Sequence, residues 1–149
     1  MSTETDTLAL PLPFWQDPQG DVVLIYSEAE CSVYVSCWFS SSEPADFIGH
    51  LSFEHASAAR CFSREFLPYR IPTHTGHSYI LQIPDSEFVR EHLAYRQRHY
   101  PQFPGKEKRH FVVVGHDIYH EILATEFRAQ TIPHREVRDV RLLKLVVAS

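Results

Sequence analysis

Ten of the 149 residues are histidine, the side chain most often recruited as a metal ligand or as a proton carrier near neutral pH. The densest group is His110, His116, Asp117, His120 and Glu121. On a helix, His116 and His120 fall at i and i+4 on one face with Asp117 and Glu121 close by, a spacing that suits a zinc ion. The order His-Glu-x-x-His and its inverse are both missing. On a hairpin turning at Gly115, His116 and Asp117, the same two histidines lie about 13 Å apart along one strand, too far to share an ion. They are then turn and surface residues. A second group, His50, His55, His74 and His77, includes two imidazoles in the irregular stretch 68–77, and loops held by a rigid scaffold are where binding sites concentrate.

Nucleophiles are less promising. No Gly-x-Ser-x-Gly elbow occurs. Cys61 lies near His55 in sequence, as a Cys–His pair would require, but between Ala59 and Phe62 it reads as a small buried hydrophobe. The five glycines, at 20, 49, 76, 105 and 115, form neither a Walker loop nor Gly-x-Gly-x-x-Gly, so no nucleotide cofactor is implied. The carboxylate pairs Glu28/Glu30 and Asp85/Glu87 fall at a link and a helix start, where hydration and the helix dipole account for them.

Alternation along residues 31–39 sets Cys31, Val33, Val35, Cys37 and Phe39 on one face and Ser32, Tyr34, Ser36 and Trp38 on the other. If the first face is core, Tyr34 and Trp38 need cover, either from Phe14 and Trp15 or from a helix. Left uncovered, Trp15, Tyr34 and Trp38 form a ligand or partner surface, because exposed aromatic residues favour interfaces.

The elements that would hold these residues follow from local pattern. Residues 1–9 read as a disordered tail, and 10–149 as one domain, in keeping with the length. Strands are expected at 21–27, 31–39, 48–54, 78–83 and 110–115, and residues 116–128 favour the return strand of a hairpin over a helix. Ala58, Phe62 and Phe66 recur every four residues, as one helix face would. A second helix starts at Asp85 or Ser86 as N-cap and stops before Pro101, with Phe88, Val89, His92, Leu93 and Tyr95 as its inward stripe. The apolar run 142–148 reads as a buried strand. The expected fold is therefore α+β: a mostly antiparallel sheet of about six or seven strands with two main helices on one face.

Composition narrows the partners. A formal charge of −5 argues against nucleic acid, although Arg96, Arg98, Lys106, Lys108 and Arg109 thicken the basic charge locally. No run of about eighteen apolar residues is present, so no membrane span is expected. The polar, acidic start lacks the features of a signal peptide. Cys31 and Cys37, about 20 Å apart along one strand, are out of disulfide reach, which fits reduced thiols and a cytoplasmic location. The function that follows is a small binding or protein-interaction module without catalytic activity, its partner a protein, a small molecule or a second copy of the chain. The alternative is a metal-binding protein or metal-dependent enzyme using His116, Asp117, His120 and Glu121.

Overall fold

β-branched and aromatic residues in period-two alternation dominate the chain, and strands dominate the computed structural model, which describes residues 6–40, 43–72, 80–103 and 105–147. The strands are β1 Leu8–Ala9, β2 Trp15–Gln16, β3 Val22–Tyr26, β4 Cys31–Ser40, β5 Glu43–Glu54, β6 Ala58–Ser63, β7 Ile80–Ile83, β8 Arg109–Val114, β9 Ile118–Ala124 and β10 Glu126–Pro133. They pair antiparallel throughout. One sheet has the order β1-β7-β8-β9-β6; the other has β10-β5-β4-β2, with β3 beside β2 on the same edge of β4. The helices are α1 Glu87–His99 and the five-residue α2 Leu143–Val147.

This corrects the expected α+β layout, since two five-stranded sheets replace a single sheet carrying two main helices. The missing helix is β6. Ala58 and Phe62 do share a face, but four is a multiple of two as well as nearly one helical turn, so the spacing fits a strand equally. Ala58–Ser63 pairs residue for residue with Leu123 to Ile118, and Phe66 falls in the short 3-10 turn that follows. The C-terminal apolar run is also corrected. A 3-10 turn at Val140–Leu142, capped by the Asp139 side chain accepting from the Arg141 N–H, leads into α2 rather than into a strand. Leu142 and Leu145 are buried while Leu143 is exposed, which is a helical spacing. At the other end, Leu8 and Ala9 pair with Gln82 and Leu81, although the sequence assigns them to a tail.

Between the sheets lie Val33, Val35, Leu51 and Phe53 from one and Ile80, Phe111, Val113 and Ile122 from the other. Phe14 joins them by crossing Gly49, where a β-carbon would stand 2.5 Å from its ring. The outer face of the β4–β5 sheet, with Ile25, Tyr34 and Ile48, is covered by Val137, Leu142 and Leu145. On the outer face of the β8–β9 sheet, Tyr69 packs over Leu81, Val112, Val114 and Tyr119.

β5 runs into β6, and β9 into β10, around one corner where both strands pass from sheet to sheet. Glu54 pairs with Glu126 and Ala58 with Leu123, so residues 55–57 oppose 124–125 and the extra residue bends the ladder. His55 sits in that bend at φ 52°, a left-handed conformation uncommon for histidine.

α1 begins as expected at Ser86, whose Oγ accepts the Val89 N–H. Its inward stripe differs. No residue of α1 is buried; Phe88, Val89, His92 and Arg96 are half-buried, while Leu93 and Tyr95 are 48% and 57% exposed. The helix rests on the sheet by its first turns only, so its remaining stripe faces a cleft. Leu93→Ala should therefore cost less than about 1 kcal/mol in a urea titration, well under the 2–5 kcal/mol typical of core leucines. A core-sized loss would put Leu93 inside.

Candidate functional site

On the outer face of the β8–β9 sheet, four segments of the chain meet at one carboxylate, and the start of α1 joins them through His110. Glu121 of β9 lies opposite Arg60 of β6 and two residues out of register from His110 of β8. All three project from the same face, which the period-two geometry requires. Glu121 Oε2 accepts from Arg60 Nε at 2.6 Å, and Oε1 accepts from His110 Nε2 at 2.8 Å and from the Tyr69 hydroxyl. His110 Nδ1 lies 2.7 Å from the Oγ of Ser86, the cap of α1. The Arg60 guanidinium also stacks on Phe88 at 3.7 Å, tying the first turn of the helix to the network.

Burial of Glu121 would by itself raise its pKa. Hydrogen bonds from His110, Arg60 and Tyr69, with the charge of Arg60, overcome that and bring it down to about 2. The carboxylate is thus ionised and can only accept, which fixes the protons around it. His110 must carry a hydrogen on Nε2; in the neutral imidazole Nδ1 is then an acceptor, to which Ser86 donates. Burial and the neighbouring Glu121 both push the Tyr69 phenol up, so it remains a donor. A cavity of about 400 Å³ opens above these groups, with Arg60, Tyr69, Ser86, Phe88, Arg90 and His110 in its wall.

A second cavity, of about 420 Å³, lies between α1 and residues 105–108. Val89 and Leu93 make it apolar, while His92, Arg96, Lys106 and Lys108 surround it with basic groups against one carboxylate, Glu107. Gly105, at φ +70°, presses its backbone onto Arg96, where a β-carbon would stand 2.7 Å from Nε. Ser57 Oγ and Arg96 Nε, both shielded from water, have no hydrogen-bond partner among the described residues. Lys106 and Lys108 reach across to the ring and the carbonyl of the corner residue His55. Burial and the nearby Arg96 and Lys106 lower the Lys108 pKa, and burial with Lys108 and Arg96 lowers that of His92. A third cavity, of about 240 Å³, joins the two, sharing Ser86 and His110 with the first and Val89, Glu107 and Lys108 with the second.

The sequence candidates distribute unevenly. Gly115 donates to the Ile118 carbonyl at 2.9 Å, closing a β8–β9 hairpin that separates exposed His116 and Asp117 from His120 and Glu121. Glu121 points into the network just described. His120 projects from the other face of β9; both its ring nitrogens lack partners among the described residues, and burial holds its pKa down at about 4. No group of three or more His, Cys, Asp or Glu among the described residues is placed to hold a metal ion.

Trp15 and Trp38 stand opposite each other on β2 and β4, but Tyr34 is covered by the C-terminal turns and stacks on His50 at 4.4 Å. The aromatic face is therefore split. His74 and His77 lie outside the described residues. Cys31, Cys37 and Cys61 are free; Cys31 and Cys37 are buried and their thiols are pushed up to about 11 and 12, while Cys61 is exposed. No described helix is long and apolar enough to cross a membrane. Comparison with protein-family models, curated proteins and solved structures finds no match.

Proposed function

We propose that the protein is a binding module that holds an anion with an apolar body in the cleft between α1 and residues 105–108. One observation carries this reading: apart from Gln16 Oε1 and the two ring nitrogens of His120, the buried side-chain polar atoms without partners among the described residues are Ser57 Oγ and Arg96 Nε, and both belong to the wall of that one cleft. Both are donors, and a buried donor without an acceptor costs about 1–3 kcal/mol. A carboxylate bound in the cleft would offer each of them an acceptor. It would also offset the crowding of positive charge that adds to burial in holding His92 and Lys108 low, while Val89 and Leu93 would receive the apolar part. The free cysteines support a reducing compartment, the cytoplasm.

Titration calorimetry with decanoate should show one saturable site and a raised melting temperature, the linkage expected of a ligand that binds only the folded chain. Decyltrimethylammonium, with the same tail and the opposite charge, should not bind. Arg96→Gln should weaken decanoate at least tenfold, about 1.4 kcal/mol. The same variant should be no less stable than wild type, because it removes a repelling charge. Absence of saturable heat, or wild-type affinity in Arg96→Gln, would discard the reading.

A further inference from the structure

The geometry points to Ser86 as an acyl-accepting nucleophile, activated by His110, for esters whose far end carries the anion held in the cleft. The assignment of Ser86 rests on the hydrogen-bonded relay; the substrate class rests on the cleft reading above. Ser86 Oγ, His110 and Glu121 form an unbroken line of 2.7 and 2.8 Å contacts; the carboxylate holds a proton on Nε2, so the neutral imidazole turns Nδ1 toward the serine as its base. That is the arrangement by which a nucleophile, a base and an orienting carboxylate cooperate on many unrelated folds. Here Nδ1 faces the serine and Nε2 the carboxylate, and either ring nitrogen can serve as base when the other is a donor.

The acceptor for negative charge is supplied by the start of α1. The Val89 and Arg90 N–H groups are bonded to Ser86, whereas those of Glu87 and Phe88 have no acceptor within the helix. They belong to the turn that starts at the same residue, and the proposal assigns them to the developing oxyanion. Ser86 and Phe88 both line the 400 Å³ cavity, which can admit an acyl group.

In the first step the Ser86 oxygen bonds to the ester carbonyl carbon while its proton passes to His110 Nδ1. The bond to the leaving alcohol breaks, and that oxygen takes the proton from Nδ1. Water then gives a proton to Nδ1 and attacks the acyl-serine; the Oγ–carbonyl bond breaks and Ser86 recovers the proton. No electrons are exchanged. Arg60, Tyr69 and Glu121 do not touch substrate in this scheme; Glu121 is a positioning residue whose charge steadies the imidazolium formed in each half.

The joining cavity runs from Ser86 to Lys108, and Ser86 and Arg96 are ten residues apart on one helix, about 15 Å at 1.5 Å per residue. The favoured ester should therefore carry its anion roughly that far from the carbonyl. The mono-4-nitrophenyl ester of dodecanedioic acid has this form; 4-nitrophenyl dodecanoate has the same activated ester without the far carboxylate.

Wild-type protein should release a burst of one nitrophenol per chain from the dioic ester and carry the acyl group on Ser86 by peptide mass mapping. Ser86→Asn, which keeps a good helix cap, should give neither and should melt within a few degrees of wild type. Glu121→Gln should slow acylation and shift its pH profile. Arg96→Gln should erase the preference for the dioic ester, slowing its acylation to the rate of the ester without the far carboxylate. Failure to acylate Ser86 in protein that still binds decanoate would overturn the relay and leave the cleft standing. An acylated Ser86 with no preference between the esters would overturn the assigned substrate, and absence of decanoate binding alongside it would locate the error in the cleft.

Discussion

Glu121→Ala should lose about 3–5 kcal/mol of stability in a urea titration, because it removes the centre of a buried ionic network and leaves its partners behind. Arg60, with its side chain 40% exposed, can turn to water. His110 and Tyr69, buried at 2% and 8% exposure, cannot, and each keeps a donor without an acceptor. Glu121→Gln retains an oxygen for those two and should lose roughly half as much. A loss below about 1 kcal/mol in Glu121→Ala would mean that the network is not formed.

The same residue gives an acid signature with a definite sign. A carboxylate held at about 2 against an ordinary value of 4.5 contributes stability that is complete above pH 4.5. It is lost as pH falls through the folded value, about 3 kcal/mol in all. Glu121→Gln should flatten the stability curve in that window. His120 acts earlier. Its pKa falls from 6.5 to about 4 on folding, so the unfolded chain binds a proton that the native state refuses, and stability drops between those two values as pH is lowered. His120→Leu should flatten that window instead. A curve that each variant leaves unchanged would break both assignments.

Phe111→Ala should cost about 3–5 kcal/mol, the range for a buried aromatic ring deleted from a packed core. Its ring is fully buried, 5.5 Å from that of Phe53 and 5.4 Å from that of Phe127. These rings come from both sheets, so the cavity left behind cannot collapse by moving one side chain. Phe39 and Phe66, 70% and 67% exposed, are the controls and should tolerate alanine within about 0.5 kcal/mol. Equal losses at Phe111 and Phe66 would contradict the placement of the core between the sheets.

Local chemistry made part of this legible from sequence. Gly115, His116 and Asp117 supply turn conformations, and the hairpin forms there. Ser86 has the right side chain in front of a helical pattern, and it caps α1. The alternation along β4 places Val33 and Val35 in the core as read. What failed was everything set by distant partners. Ala58 and Phe62 satisfy a helix and a strand alike, and only β9, sixty residues on, decides between them. Leu93 and Tyr95 fit a buried stripe by spacing, but α1 meets the sheet only at its start. The Glu121 network draws Arg60, Tyr69, Ser86, His110 and Glu121 from five separate segments, and no spacing rule links them. Two signals were usable: the histidine-rich group contained His110 and Glu121, and the basic thickening contained Arg96, Lys106 and Lys108, which line the cleft.

The shared corner also bears on how the chain reaches this state. β3, β4 and β5 can zip as neighbours, and so can β8 and β9, within microseconds of meeting. The two bent strands cannot. Ala58 and Leu123 are 65 positions apart, so a large loop must close before either strand finds its partner, and the entropy of that closure is lost before the ladder compensates for it. Topologies dominated by such distant pairings fold in milliseconds to seconds. The corner at His55 should therefore close late, and until it closes each half-formed sheet exposes an open edge to other chains.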